Sequence, residues 1–268
     1  MVSDSQALFW SLLAQGTNYC GFLFEVTVVY FLILQFLQSG SHFKTSYFAI
    51  YFTGLVVDMV TITTWFLENV FGNFSETAVA VSNFFLWYSY LHLGFWNTVL
   101  AFNRLTALMI PTKYKKIWNP ITVTIIITLN TIFPFLINGY SFSNPYCRLF
   151  LYSPTCIDFL TANQYFISIS NFFQALCSFI FGILSFVFLQ SRLQNSVKPS
   201  NLDKSLLVQS FFSSIFLISA SAIQFYTVFT EFKDENLTKV LGSATDLVFG
   251  LYHYFGLVFL TVFRSVQS

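Results

Sequence analysis

The chain has 268 residues, of which 56% are hydrophobic, 21% aromatic and only 9% charged, with a formal net charge of +1. Water-soluble domains carry about 25% charged residues, so this composition excludes a single soluble core and places the chain in lipid. The small net charge decides nothing further, because a membrane protein sorts its charges to opposite sides instead of mixing them on one surface.

Crossing about 30 Å of hydrocarbon takes about 20 mainly apolar residues, and the backbone must be helical to satisfy its own hydrogen bonds there. Seven stretches qualify, at residues 17–37, 47–67, 78–102, 121–140, 165–189, 206–229 and 240–263. Short connections join them, so the expected fold is an all-α membrane protein, one seven-transmembrane helix bundle over residues 1–268. Residues 1–16 carry Asp4 as their only charge and no basic n-region, so no cleavable signal peptide is expected and the first span directs insertion. That span contains Glu25, and the second contains Asp58. The sequon Asn73-Phe74-Ser75 follows, and the third span then presents Trp87, Tyr88 and His92. Asn103 and Arg104 close that span and lead into a basic loop with Pro111, Lys113, Tyr114, Lys115, Lys116 and Trp118. Between spans four and five lie Cys147 and Cys156, span five holds Asn171 and Gln174, and span six holds Gln224 and Tyr226. A second sequon, Asn236-Leu237-Thr238, precedes a seventh span containing Asp246 and His253.

Orientation follows from the basic residues, since positively charged loops stay cytoplasmic. With the N-terminus outside, the inner set is Lys44, Arg104, Lys113, Lys115, Lys116, Arg192, Lys198, Lys204 and Arg264, and the outer set is Arg148, Lys233 and Lys239. Nine against three, out of 12 in all, favours an extracellular N-terminus and a cytoplasmic C-terminus. Both sequons then lie outside, where glycosylation acts. Only four residues follow Arg264, so inward signals are expected to use the inner loops and helix ends.

An acid charged at the bilayer centre costs at least about 2.5–3.5 kcal/mol, which makes Glu25, Asp58 and Asp246 candidates for function. Counted from the outer ends of the spans, Glu25 and Asp246 lie at similar depths of roughly 10–13 Å. If first and last helices adjoin, the two acids can face one another and share a proton; the alternative is separate protonation and hydrogen bonding to Ser or Thr. Asp58 lies mid-membrane and is a candidate for a sodium site. A ligand pocket is expected among spans three, five, six and seven, near Trp87, Tyr88, His92, Asn171, Gln174, Gln224, Tyr226 and His253 together with Glu25 and Asp246. With 37 Phe and 14 Tyr, its walls suit a small, largely apolar ligand. Cys147 and Cys156 share one outer, oxidising loop and can close a local disulfide. The three histidines, His42, His92 and His253, are dispersed, so no metal centre, cofactor or catalysis is expected.

The string Asn103-Arg104-Leu105-Thr106-Ala107-Leu108-Met109-Ile110-Pro111-Thr112-Lys113-Tyr114-Lys115-Lys116-Ile117-Trp118 resembles the signature of the nematode serpentine receptor class gamma superfamily. That resemblance implies a chemoreceptor in the plasma membrane of sensory neurons. Its implied partners are membrane lipid, a small-molecule ligand and a heterotrimeric G protein facing Asn103 to Lys116, with no nucleic acid. Arg104 matches the arginine that rhodopsin-like receptors carry at this depth, with Asn103 where those receptors have an acid. A transporter or ion channel using Glu25, Asp58 and Asp246 is the alternative. The absence of a repeat and of glycine- or proline-broken helix pairs stands against it.

Overall fold

The computed structural model describes residues 3–40, 44–71, 75–151, 153–194, 201–229 and 235–265. Among these residues the chain is helical throughout and has no strand. The helices are α1 (Asp4–Leu37), α2 (Ser46–Phe71), α3 (Glu76–Met109), the short α4 (Pro111–Ile117), α5 (Pro120–Asn138), the short α6 (Pro145–Leu149), α7 (Ile157–Gln194), α8 (Asn201–Phe229) and α9 (Glu235–Ser265). Four segments are long and apolar enough to cross a membrane: Asp4–Leu37, Ser46–Glu68, Pro120–Ser143 and Pro154–Ser191.

Helix starts follow local chemistry. Ser3 caps α1 in a capping box, its Oγ accepting from Gln6 N–H at 3.4 Å while Gln6 Oε1 accepts from Ser3 N–H at 3.1 Å. Ser75 caps α3 and Asn119 caps α5 more simply, each side-chain oxygen accepting from the backbone N–H three residues on, Ala78 and Thr122. Pro111, Pro120 and Pro145 each stand at the first turn of a helix, where proline's missing N–H costs nothing. Beyond α1 the chain reverses through Gly40, whose φ of +80° suits a residue without Cβ.

The helices run further than the apolar windows do. α1 starts at Asp4 instead of 17, and α3 continues through Met109, placing Asn103 and Arg104 within the helix and not at its close. Apolar windows report what lipid tolerates, whereas caps and tertiary contacts decide where a helix ends.

α3 forms the axis and packs against α2, α5, α7 and α8; α7 adjoins α8, α8 adjoins α9, and α9 closes onto α1. A helix so enclosed is screened from lipid and can carry polar groups. Ser82, Asn83, Ser89, His92, Asn97, Asn103 and Arg104 are all buried on α3. For the same reason α3 has no place among the four most apolar segments. Close approaches hold the ring together. A Cβ at Gly21 would overlap the Tyr254 ring, and one at Gly54 would overlap the Trp96 indole, so α1 meets α9 and α2 meets α3 nearly backbone to side chain.

At the end of the bundle holding Asp4, residues 139–151 and 153–156 fold over α3. Cys147 and Cys156 form a disulfide, with Cα atoms 5.4 Å apart. Arg148 is buried: Nη1 donates to Asn163 Oδ1 at 2.7 Å, and the guanidinium lies 5.4 Å from the Trp87 ring. Asn83 Nδ2 donates to the Leu149 carbonyl at 2.8 Å. Cys147→Ser is expected to cost about 2.5 kcal/mol, the chain entropy of a loop of about ten residues. Thermal unfolding of the purified chain, compared with wild type, measures it.

Candidate functional site

Two arrangements of polar side chains stand out, one toward each end of the bundle. The first is a cavity of about 260 Å³ between α1, α2, α3 and α9. Three helices reach it with one heptad-like face each: Asp58, Thr61, Ile62 and Trp65 from α2; Leu86, Ser89, Tyr90 and Leu93 from α3; Asp246, Phe249, Gly250 and Tyr254 from α9. Spacings of three, four and seven put such residues on one side of a helix. α1 adds Asn18. α9 is fixed on both flanks, Tyr254 Oη donating to the Asn18 carbonyl at 3.3 Å and Tyr252 Oη to the Leu93 carbonyl at 3.5 Å.

Asp246 also lines a second cavity of about 570 Å³ between the first turns of α1 and α9, with Asp4, Ser11, Asn236, Lys239 and Ser243. Asp4 and Lys239 are exposed, so this second space is a vestibule opening at the Asp4 end. Asn236 Nδ2 donates to Asp4 Oδ1 at 2.8 Å across its rim. Asp246 therefore stands where the vestibule meets the inner cavity.

The expectation that Glu25 faces Asp246 is corrected: the Glu25 carboxyl lies against that of Asp58. The reason is depth. From the Asp4–Asn236 level, Glu25 is 21 residues along α1 (25 − 4) and Asp246 ten along α9 (246 − 236), so about 31 and 15 Å. Glu25 and Asp58 are instead each 12 residues from the opposite ends of their helices, Leu37 and Ser46 (37 − 25 and 58 − 46). Counting from residue 17 made Glu25 look shallow because α1 begins well before its lipid-like window. Glu25 is fully buried and Asp58 is 4% exposed.

Of the ten pocket residues expected from sequence, Asp246 lines the α1/α2/α3/α9 cavity, and no other one of those whose side chains are described does. Trp87 and Tyr88 are occupied with packing: Trp87 Nε1 donates to Asn138 Oδ1 at 3.1 Å, and Tyr88 Oη to the Thr131 carbonyl at 2.8 Å. Tyr88 stacks on His92, whose Nε2 accepts from Asn130 Nδ2 at 2.9 Å. Asn130 and Thr131 sit just before Pro134, which interrupts the backbone ladder of α5, and Asn138 just after it. Gln174 Nε2 donates to Ser170 Oγ at 2.8 Å, and its side chain fills the space a Cβ at Gly94 would need. Asn171 is 1% exposed with both ends of its amide lacking a hydrogen bond, and Gln224 Oε1 is likewise buried without one. Tyr226 is exposed. The side chain of His253 and the sequon asparagine Asn73 lie outside the described residues.

The second arrangement lies at the Arg104 end. Arg104 is buried, its guanidinium carbon 4.3 Å from the centre of the Tyr47 ring on α2, and Nη2 donates to Gln209 Oε1 on α8 at 3.4 Å. Beside it, Asn103 Nδ2 donates to Ser46 Oγ at 3.1 Å while Tyr114 Oη donates to Asn103 Oδ1 at 3.0 Å. Trp118 Nε1 donates to Thr106 Oγ1 at 2.7 Å. Asn103 and Arg104 thus face inward onto α2, α4 and α8 and not the surface, while Pro111, Lys113, Lys115 and Lys116 are exposed and Tyr114 half-buried. Sequence reading missed Gln209, a neutral residue with no motif around it. It also missed Trp65 and Tyr254, which the helical spacing from Asp58 and Asp246 would have located, and Tyr90, which sits on a helix without an acid at that level. Among the described residues, no group of three His, Cys, Asp or Glu side chains is placed to hold a metal ion. No protein-family model matches this chain, and no curated protein matches it.

Proposed function

We propose that this protein is a seven-helix plasma-membrane receptor, with α1, α2, α3, α5, α7, α8 and α9 as its spans. The N-terminus is outside. A small ligand enters by the vestibule at the Asp4 end, and a G protein docks on the basic surface of Lys113, Lys115 and Lys116. The observation that carries the reading is that α2 and α3 each serve both ends. They line the cavity through Asp58 to Trp65 and Leu86 to Leu93, and meet again at Tyr47, Ser46, Asn103 and Arg104. A ligand that prefers one packing of α2 against α3 therefore biases the Arg104 contacts by differential affinity, which is all a receptor requires. The resemblance of residues 103–118 to serpentine class gamma receptors supports a chemosensory role in sensory neurons. The folded segments 139–151 and 153–156 cover α3, which directs entry to the α1/α9 side instead of the expected space among spans three, five, six and seven.

The succession of Asp246 and Asp58 along the cavity, with Glu25 behind Asp58, favours a transporter or channel as the second reading. Expression in cells with an N-terminal tag, Asn73→Gln and Asn236→Gln variants and a G-protein reporter separates the two. We expect one glycan lost per variant on glycosidase-sensitive mobility, surface accessibility of the tag in intact cells, and a ligand response abolished by a G-protein inhibitor. A cytoplasmic tag without glycosylation inverts the topology and removes the receptor reading. A ligand-evoked current or uptake that ignores the inhibitor establishes the second reading.

A further inference from the structure

The α1/α2/α3/α9 cavity has an unusual charge balance. Among the described side chains two carboxyls, Asp58 and Asp246, line it and no Lys or Arg does; Lys239 lines the vestibule. Behind Asp58 lies a third acid, Glu25, fully buried against it. The remaining walls combine four aromatic rings, Trp65, Tyr90, Phe249 and Tyr254, with aliphatic and small polar residues. An apolar or anionic occupant offers the lining acids neither a donor nor a countercharge, and covering a carboxylate without one costs several kcal/mol. A cation returns that energy and gains from aromatic faces as well. At about 260 Å³ the space falls below the roughly 300–1,000 Å³ of drug-sized sites, so the occupant is small.

We propose that this cavity binds a small organic ammonium ion, held by Asp246 at the vestibule junction and by Asp58 deeper in, with its hydrocarbon part against Trp65, Tyr90 and Tyr254. The inference rests on the receptor reading only for what binding achieves; the site itself is defined by the cavity and its residues. It replaces the largely apolar ligand that the Phe and Tyr content suggests, because those residues dominate the composition but do not set the charge of this cavity. Asp246 is the residue to alter, since its side chain is exposed to the cavities and its replacement leaves the packed core untouched.

The test uses the purified full chain in lipid nanodiscs and three probes sharing one skeleton: phenethylamine, 2-phenylethanol and phenylacetate, extended by primary amines from ethylamine upward. Thermal stabilisation is recorded against probe concentration. We expect saturable stabilisation by amines, none by the alcohol or the acid, and an affinity lower by about 30-fold or more in Asp246→Asn, with its ligand-free Tm unchanged. Asp246→Glu, which keeps the charge, is expected to retain binding. Stabilisation by 2-phenylethanol equal to that by phenethylamine, unchanged amine affinity in Asp246→Asn, or no stabilisation by any amine overturns the proposal. Amine binding without a G-protein response leaves it standing and sinks the receptor reading instead; a G-protein response to neutral compounds alone does the reverse.

Discussion

Arg104→Ala is expected to loosen α8 from α3 and raise ligand-independent signalling. The substitution leaves buried Gln209 Oε1 without its donor, a loss of about 1–3 kcal/mol, and removes the stacking on Tyr47, worth about 0.5–2 kcal/mol. A total of about 1.5–5 kcal/mol shifts a two-state equilibrium by roughly 10- to 4,000-fold. The 3.4 Å separation between Arg104 Nη2 and Gln209 Oε1 lies beyond the usual 2.7–3.2 Å range, so this link is the weaker part of the pair and the natural place to part. Spin labels at Lys113 and Val208, both exposed, report the change, with the exposed cysteines Cys20 and Cys177 first replaced by Ser. The distance distribution should lengthen and broaden in Arg104→Ala. Arg104→Lys keeps the charge but not the planar stack and should fall between the two. An unchanged distribution with unchanged basal reporter signal would remove Arg104 from the switching role. A double-mutant cycle with Gln209→Ala isolates the pair.

Gly54→Ala is expected to lower stability by about 1–3 kcal/mol, the usual cost of forcing extra volume into a packed core. A Cβ at this position would overlap the Trp96 indole. The indole has little room to yield, since its Nε1 donates to the Ile50 carbonyl at 2.8 Å and its ring stacks on Tyr51 at 5.5 Å. Any displacement therefore breaks a buried hydrogen bond as well as the stack. Because Tyr51 and Tyr47 stack in turn and Tyr47 carries Arg104, the disturbance should also reach the Arg104 end. Thermal unfolding of Gly54→Ala, Trp96→Leu and the double variant provides the check. The smaller side chain at 96 should recover part of the loss, giving a coupling well above the about 0.3–0.5 kcal/mol of independent sites. Strict additivity would falsify the close approach of α2 and α3 at this level.

The amino-acid sequence by itself determined that the chain is helical and has the character of a membrane protein, because apolar run length and low charge act residue by residue. It also located Asp58 and Asp246 as unusual, since an acid in an apolar window is visible wherever the helix packs, and it paired Cys147 with Cys156 from their shared loop. Helix lengths were less legible. Ser3 and Gln6 extend α1 over a stretch whose composition gave no reason to begin a span, and that extension moved Glu25 from the level of Asp246 to the level of Asp58. Arg104 was visible in its motif, but its burial was not, because Gln209 lies 105 residues away and nothing local marks it as a partner. Arg148 likewise reads as a solvated loop residue, yet the folded loop lays it on Trp87. Only the tertiary structure decided which faces meet. Relative rotation and depth of helices arise from contacts between distant segments, such as Gly21 with Tyr254 and Asp4 with Asn236, and those contacts set which acids line one cavity.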